Sequence, residues 1–192
     1  MDFNKYAGSY DSGWKGSKSA RFYDDLIREL EIHPGDSVLD VGCGTGTVLS
    51  FIGSKTAIKG HGLDISPKML EIAREKNPDF DYRVGDCVTL PYEDESMDVV
   101  MACMAYHHFP EQGRFRNEAF RVLRPNGRLY ICDPRFPWAV RTILNACFKE
   151  AGFHTTKRNA GDFIASGFML EKLTEDLYVQ VLSMKKPDEH KG

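Results

Sequence analysis

Apolar residues in this chain follow two rhythms: short runs closed by Gly, Pro or Asp, and longer stretches where they return every three or four positions. Phe22, Leu26 and Leu30 have helical spacing from Arg21 to Leu30, and His33-Pro34-Gly35-Asp36 ends that helix in a turn. Val38, Leu39 and Val41 form a short β-branched run suited to a buried parallel strand, and Val48, Leu49, Phe51 and Ile52 suit the helix after it. Ile58 to Ile65 reads as a second strand ending in Asp64. Ser66-Pro67 then supplies an N-cap and a first-turn proline for a helix reaching Lys76. Phe80 to Val84 is a third strand closed by Gly85-Asp86, and the polar loop Pro91 to Ser96 leads into a fourth, Met97 to Cys103. Glu111 to Leu123 presents Phe115, Ala119 and Val122 on one helical face; Arg124-Pro125-Asn126-Gly127 stops it before a fifth strand, Arg128 to Cys132. Trp138, Val140, Leu144 and Phe148 suit a helix capped at Ala151-Gly152, Phe153 to Arg158 reads as a strand, and Leu177 to Met184 as the last. Residues 159–176 show no clean period and stay unassigned, and residues 1–20 carry Tyr6, Tyr10 and Trp14 without an apolar period, as a mobile arm would. Strands alternating with helices predict an α/β fold, a mostly parallel sheet covered on both faces.

Composition narrows this picture. At 192 residues one domain spanning 1–192 is expected, with a core that needs no staple. Cys43, Cys87, Cys103, Cys132 and Cys147 lie far apart with no C-x-x-C pair, which argues against a metal site and for a reducing, cytoplasmic location. Met1-Asp2-Phe3-Asn4-Lys5 has no apolar signal core, and no uncharged run approaches the ~20 residues of a membrane span. A net charge of -3 offers no global attraction for nucleic acid, so nucleic acid is not an expected partner.

The candidate chemistry collects at strand ends, where ligands of open parallel sheets bind. The Gly42 to Gly46 turn closes strand one, Asp64 strand two, Asp86 strand three, and Cys103 to His108 strand four. Three alternate glycines let the backbone turn sharply and let a ligand come close. An acid at the end of strand two can accept from both ribose hydroxyls; with Ser66 already in the N-cap role, Asp64 reads as nucleoside recognition. A dinucleotide fingerprint needs glycine or alanine at the sixth position, where Thr47 stands, and no phosphate-loop signature occurs at this turn. A nucleoside ligand without a pyrophosphate remains, with Asp40 placed to meet a positively charged part of it.

Val38-Leu39-Asp40-Val41-Gly42-Cys43-Gly44-Thr45-Gly46, Gly62-Leu63-Asp64-Ile65-Ser66, Gly85-Asp86 and Leu123-Arg124-Pro125-Asn126-Gly127-Arg128-Leu129 together resemble the successive motifs of class I S-adenosylmethionine-dependent methyltransferases. The branch is similar to the ubiquinone/menaquinone-biosynthesis and type 11 methyltransferases, closely over residues 36–133 and loosely beyond. The resemblance implies a Rossmann-like, doubly wound seven-stranded sheet with an antiparallel last strand. It sets the methionine part of S-adenosylmethionine, and of its product S-adenosylhomocysteine, against Asp40, Gly42, Cys43, Gly44 and Gly46. Asp64 would hold the ribose, Ile65 the adenine face, Asp86 and Cys87 the adenine amino group, and Cys103 the methionine amine, with Tyr10 of the arm over the cofactor. No metal is implied.

Methyl transfer from a sulfonium is a direct displacement in which alignment supplies most of the catalysis, on the order of 7–11 kcal/mol by proximity. A hydroxyl or acidic-carbon nucleophile must also lose a proton, and Tyr106, His107 and His108 are the candidate bases just past strand four. Only Pro134 to Pro137 separates Asp133 from the next helix. A cap over a small-molecule acceptor would therefore come from the arm, from Tyr106 to Phe109, from residues 159–176, or from a second subunit in a homodimer. Two rival readings stand beside this one: a protein that binds S-adenosylmethionine without transferring the methyl group, and a nicotinamide-dependent oxidoreductase.

Overall fold

The computed structural model describes Asn4, Ala7 and residues 14–147 and 152–188. Seven strands form one sheet: β1 (Ser37–Val41), β2 (Lys59–Asp64), β3 (Asp81–Val84), β4 (Met97–Cys103), β5 (Leu123–Pro134), β6 (Met169–Glu175) and β7 (Val179–Lys185), in the order β3-β2-β1-β4-β5-β7-β6. The first five run parallel, and β7 lies antiparallel between β5 and β6. Around the sheet pack α1 (Trp14–Glu29), α2 (Thr47–Lys55), α3 (Pro67–Lys76), α4 (Gln112–Val122), α5 (Trp138–Cys147) and α6 (Thr156–Ala165).

The near-continuous apolar runs of β1 and β4 follow from burial on both faces. Leu39, Val41 and Val100 face one cluster with Phe115 and Ala119 of α4 and Phe163 of α6, while Val38, Val99 and Met101 face another with Leu26 of α1, Leu49 of α2 and Leu70 of α3. Ser66 caps α3, its hydroxyl oxygen accepting from the Met69 N–H at 3.3 Å, with Pro67 at the first position. Strand order reverses between β1 and β4, so a crevice opens where their carboxyl ends part company.

The C-terminal third departs from the reading of the sequence. No strand forms over Phe153–Arg158. Thr155 instead caps α6 by accepting from Arg158 N–H at 3.2 Å, and α6 buries Thr156, Asn159, Ala160 and Phe163. That spacing is helical, but two of the four residues are polar, so hydrophobicity alone does not show it. The sixth strand is β6, an edge strand whose Met169, Leu170, Glu171 and Lys172 are all exposed, with no buried face to impose alternation. Leu123, read as the end of the helix, and residues 124–127, read as a turn, open β5 with a register shift against β4 and a positive φ at Asn126. Residues 14–20, expected within the arm, are the first turns of α1. Tyr10 lies outside the described residues. Among the described residues no helix is long and apolar enough to cross a membrane, and no cluster of three His, Cys, Asp or Glu side chains could hold a metal.

Candidate functional site

The glycine turn is built by backbone geometry. Gly42, Gly44 and Gly46 take φ of 77°, 53° and 70°, left-handed values that side chains disfavour. Gly42 and Cys43 N–H groups donate to the Leu63 carbonyl at 2.7 and 3.1 Å, which ties the turn to β2. A Cβ on Gly42 would lie 2.6 Å from the Ala105 Cβ, so the chain leaving β4 closes directly over the turn. A Cβ on Gly44 would meet nothing within 4 Å. Gly44 faces open space.

Asp64 links the neighbouring walls: Oδ2 accepts from Gly44 N–H and Oδ1 from Ser66 N–H, both at 2.8 Å. Burial raises its carboxyl above the ordinary range, and these backbone donors oppose the rise. Beside it Ile65 is 60% exposed, the reverse of its type's habit. Asp86 accepts from Val88 N–H at 3.1 Å, and burial, with help from Asp86, pushes the Cys87 thiol up to about 12. Asp40 is different. It is 2% exposed, its Oδ1 is buried without a hydrogen-bond partner among the described residues, and burial, reinforced by Asp64, pushes its carboxyl up to about 8.

These residues enclose a cavity of about 1080 Å³, counting its open mouth. Asp40, Gly42, Cys43, Gly44, Asp64, Ile65, Asp86, Cys87, Cys103 and His108 all line it. Gly46 stands one step behind the wall as the N-cap of α2, where a Cβ would press on the Tyr82 hydroxyl at 2.8 Å and Ala73 at 3.0 Å; its place there is set by packing.

Of the three candidate bases, His108 alone reaches the cavity wall. Tyr106 is buried, its hydroxyl accepts from Arg116 at 2.9 Å, and burial pushes its phenol up to about 12. His107 is buried beside it, stacked on Phe153 at 4.7 Å, with Nδ1 2.9 Å from Oδ1 of the buried Asp133. A carboxylate on Nδ1 selects the tautomer protonated there and leaves Nε2 with its lone pair. Asp133, the penultimate residue of β5, is not among the residues the sequence singles out, although strand-end logic like that for Asp64 points to it. Tyr23 of α1, Met104 and Phe109 also line the cavity, and nothing in their local pattern marks them. Met104 holds a φ of 56°, a strained value for its type, where β4 gives way to the cavity wall.

Residues 39–131 match a family model described as "Methyltransferase domain" (Methyltransf_11). The chain is 37% identical over 121 residues to the 27-O-demethylrifamycin SV methyltransferase of Amycolatopsis mediterranei, covering 60% of this chain and 44% of that protein. It is 33% identical over 129 residues to a demethylmenaquinone methyltransferase of Chlorobaculum tepidum, covering 66% of this chain and 51% of the relative. The chain thus spans about half the length of the curated relatives it matches. Among solved structures, a chain from the complex between the Haloferax volcanii Trm112 methyltransferase activator and a methyltransferase superposes with a TM-score of 0.85 at 19% identity, over 97% of this chain and 98% of that one, a likeness of fold. The sheet order and the glycine-turn crevice define the class I methyltransferase architecture. Within that architecture residues 39–131 are similar to the methyltransferase domain of the type 11 model, and demethylmenaquinone methyltransferases are among the chain's relatives.

Proposed function

We propose that this chain binds S-adenosylmethionine in the β1–β4 crevice and transfers its methyl group to a small-molecule acceptor. The observation that carries the reading is Asp40. A buried carboxyl oxygen with no partner among the described residues, on the wall of a cavity whose glycine floor is open at Gly44, fits a cationic ligand brought close to backbone. When bound, the cofactor supplies a methyl group already activated on a sulfonium sulfur. The protein's part is to hold, orient and exclude water. Asp64 keeps its carboxylate oriented through the Gly44 and Ser66 N–H groups, with further lone pairs for ribose hydroxyls. Ile65 and Met69 offer an apolar surface to the base, and Asp86 and Cys87 close that end. Asn4, which accepts from the Ser66 hydroxyl at 2.7 Å, and the buried Ala7 support reading the N-terminal segment as a cover over the Asp64 end.

His108, the candidate base on the cavity wall, is the base this reading favours. Asp133 holds the ring of His107, whose centroid lies 4.0 Å from that of His108, and so positions the His108 imidazole to take a proton from an acceptor hydroxyl or acidic carbon. The apolar wall beyond the cofactor end, with Met104, Phe109 and Pro110, favours an acceptor with an apolar body. Five free cysteines fit a reducing compartment, and we place the protein in the cytoplasm.

Titration calorimetry with S-adenosylmethionine, S-adenosylhomocysteine and NAD tests the reading. Both methionine-derived ligands should bind, NAD should not, and Asp64→Ala should weaken both by at least about tenfold, the loss of a charge-assisted hydrogen bond of roughly 1.5–3 kcal/mol. Binding of NAD alone would turn the assignment to an oxidoreductase. A radiolabelled-methyl screen that labels no acceptor, with cofactor binding intact, would favour a binding protein without transfer.

A further inference from the structure

The cavity has a charge pattern that binding alone does not require. Its acidic lining side chains are Asp40, Asp64 and Asp86, His108 stands on the same wall, and no lysine or arginine is among the lining residues. Asp40 is the most enclosed of the three, and every group acting on it has the same sign or is neutral. Asp64 faces it from the end of β2, Cys43 from the turn, Cys103 from β4 and Tyr82 from β3. The cations of α3 are engaged elsewhere: Arg74 donates to the Tyr82 carbonyl at 2.7 Å, and Lys76 to the hydroxyls of Thr45 and Thr47 at 3.1 and 2.9 Å. Among the described residues Asp40 thus has a buried Oδ1 without a hydrogen-bond partner, and the charged group acting on it is the like-charged Asp64.

Donor and spent product differ in one respect that such a carboxyl can sense. S-adenosylmethionine carries an ammonium and a sulfonium, whereas the demethylated product keeps the ammonium and has a neutral thioether. We propose that Asp40 discriminates donor from product by charge, releasing its proton to solvent fully when the donor enters with its added sulfonium and only in part when the product does, whose ammonium is offset by its own carboxylate. The inference rests on the cofactor reading above. Burial and Asp64 raise the carboxyl to about 8, so with no cation beside it the carboxyl is mostly protonated at neutral pH. A ligand cation reverses that balance, and the second cation reverses it further.

The direction follows from linkage. Donor affinity increases as pH is raised toward 8, because binding then no longer has to expel a proton, and it levels off above. The product shows a shallower rise. A difference of one pKa unit between the two complexes is a tenfold difference in affinity, so the donor-to-product affinity ratio should grow by roughly tenfold between about pH 5 and about pH 8. This electrostatic bias helps clear the site after transfer.

Calorimetric titration of the whole chain with S-adenosylmethionine and with S-adenosylhomocysteine, at several pH values and in two buffers of different ionisation enthalpy, counts the protons released by each. The expected result is more proton release with the donor than with the product near neutral pH, none with either near pH 9, and a ratio that rises with pH. Asp40→Asn should abolish the pH dependence and bring the two affinities together. The wild-type proton counts stand by themselves if that variant does not fold. Equal proton release by both ligands, or a ratio flat in pH, overturns the proposal while leaving the cofactor reading in place. Binding of neither ligand overturns that reading first and the role of Asp40 with it.

Discussion

Two neighbouring glycines of the turn should behave oppositely on gaining a methyl group. In Gly42→Ala the φ of 77° carries a left-handed penalty of roughly 1–2 kcal/mol, and the new Cβ would sit 2.6 Å from the Ala105 Cβ. Forcing a methyl group into packed surroundings costs about 1–3 kcal/mol more. The sum, about 2–5 kcal/mol, corresponds to a fall in Tm of roughly 10 °C for a domain of this size. In Gly44→Ala the φ of 53° lies in the left-handed basin and nothing stands within 4 Å of the Cβ. Its strain is partly offset by the lower entropy of the unfolded chain, about 0.4–1 kcal/mol, so Tm should move by no more than about 4 °C. The same methyl group enters space the cofactor would use, and S-adenosylmethionine affinity should drop by about tenfold or more. Differential scanning calorimetry and ligand titration on both variants read the two effects separately. If Gly44→Ala melts as early as Gly42→Ala, or binds the cofactor at full strength, the assignment of Gly44 to the ligand floor and Gly42 to packing is wrong.

Two further outcomes follow from buried carboxyls. Asp40 is raised in the folded state from 3.8 to about 8, so it holds a proton there that the unfolded chain has lost. Its contribution to stability is present below about pH 4 and is lost as pH rises towards 8, at up to about 1.4 kcal/mol per pH unit, and is level above. Urea unfolding across that window should show the slope in the wild type and a shallower one in Asp40→Asn; parallel profiles would remove the basis for the shift. Asp133→Asn leaves His107 without its carboxylate, and methyl transfer to a hydroxyl or acidic-carbon acceptor should fall about 10²-fold in kcat, with a changed pH profile and unaltered cofactor affinity. A drop in cofactor affinity matching the drop in rate would assign Asp133 a structural role.

Much of the parallel half of the sheet is legible in local sequence. Strand β4 and helix α3 fall where their apolar runs and the Ser66-Pro67 cap predict them, because burial on both faces and backbone capping each leave a local signature. Segment 153–176 is not legible in that way. The buried face of α6 includes Thr156 and Asn159, and β6 is an exposed edge, so neither obeys a hydrophobic period. The acids closing β2 and β3 and the alternate glycines are likewise plain in the chain, since a strand end followed by a tight turn is a property of a few adjacent residues.

By itself the sequence determines the parts with short-range causes: alternating strands and helices, left-handed turn positions reserved for glycine, and carboxylates at strand ends. The tertiary structure alone decides which of those parts meet. It brings Ala105 onto Gly42, buries Asp40 with an Oδ1 that has no partner among the described residues, and pairs His107 with an aspartate 26 positions away on β5. Those outcomes depend on strand order and on how residues far apart in the chain exclude water from one another, and no local pattern of residues carries that information.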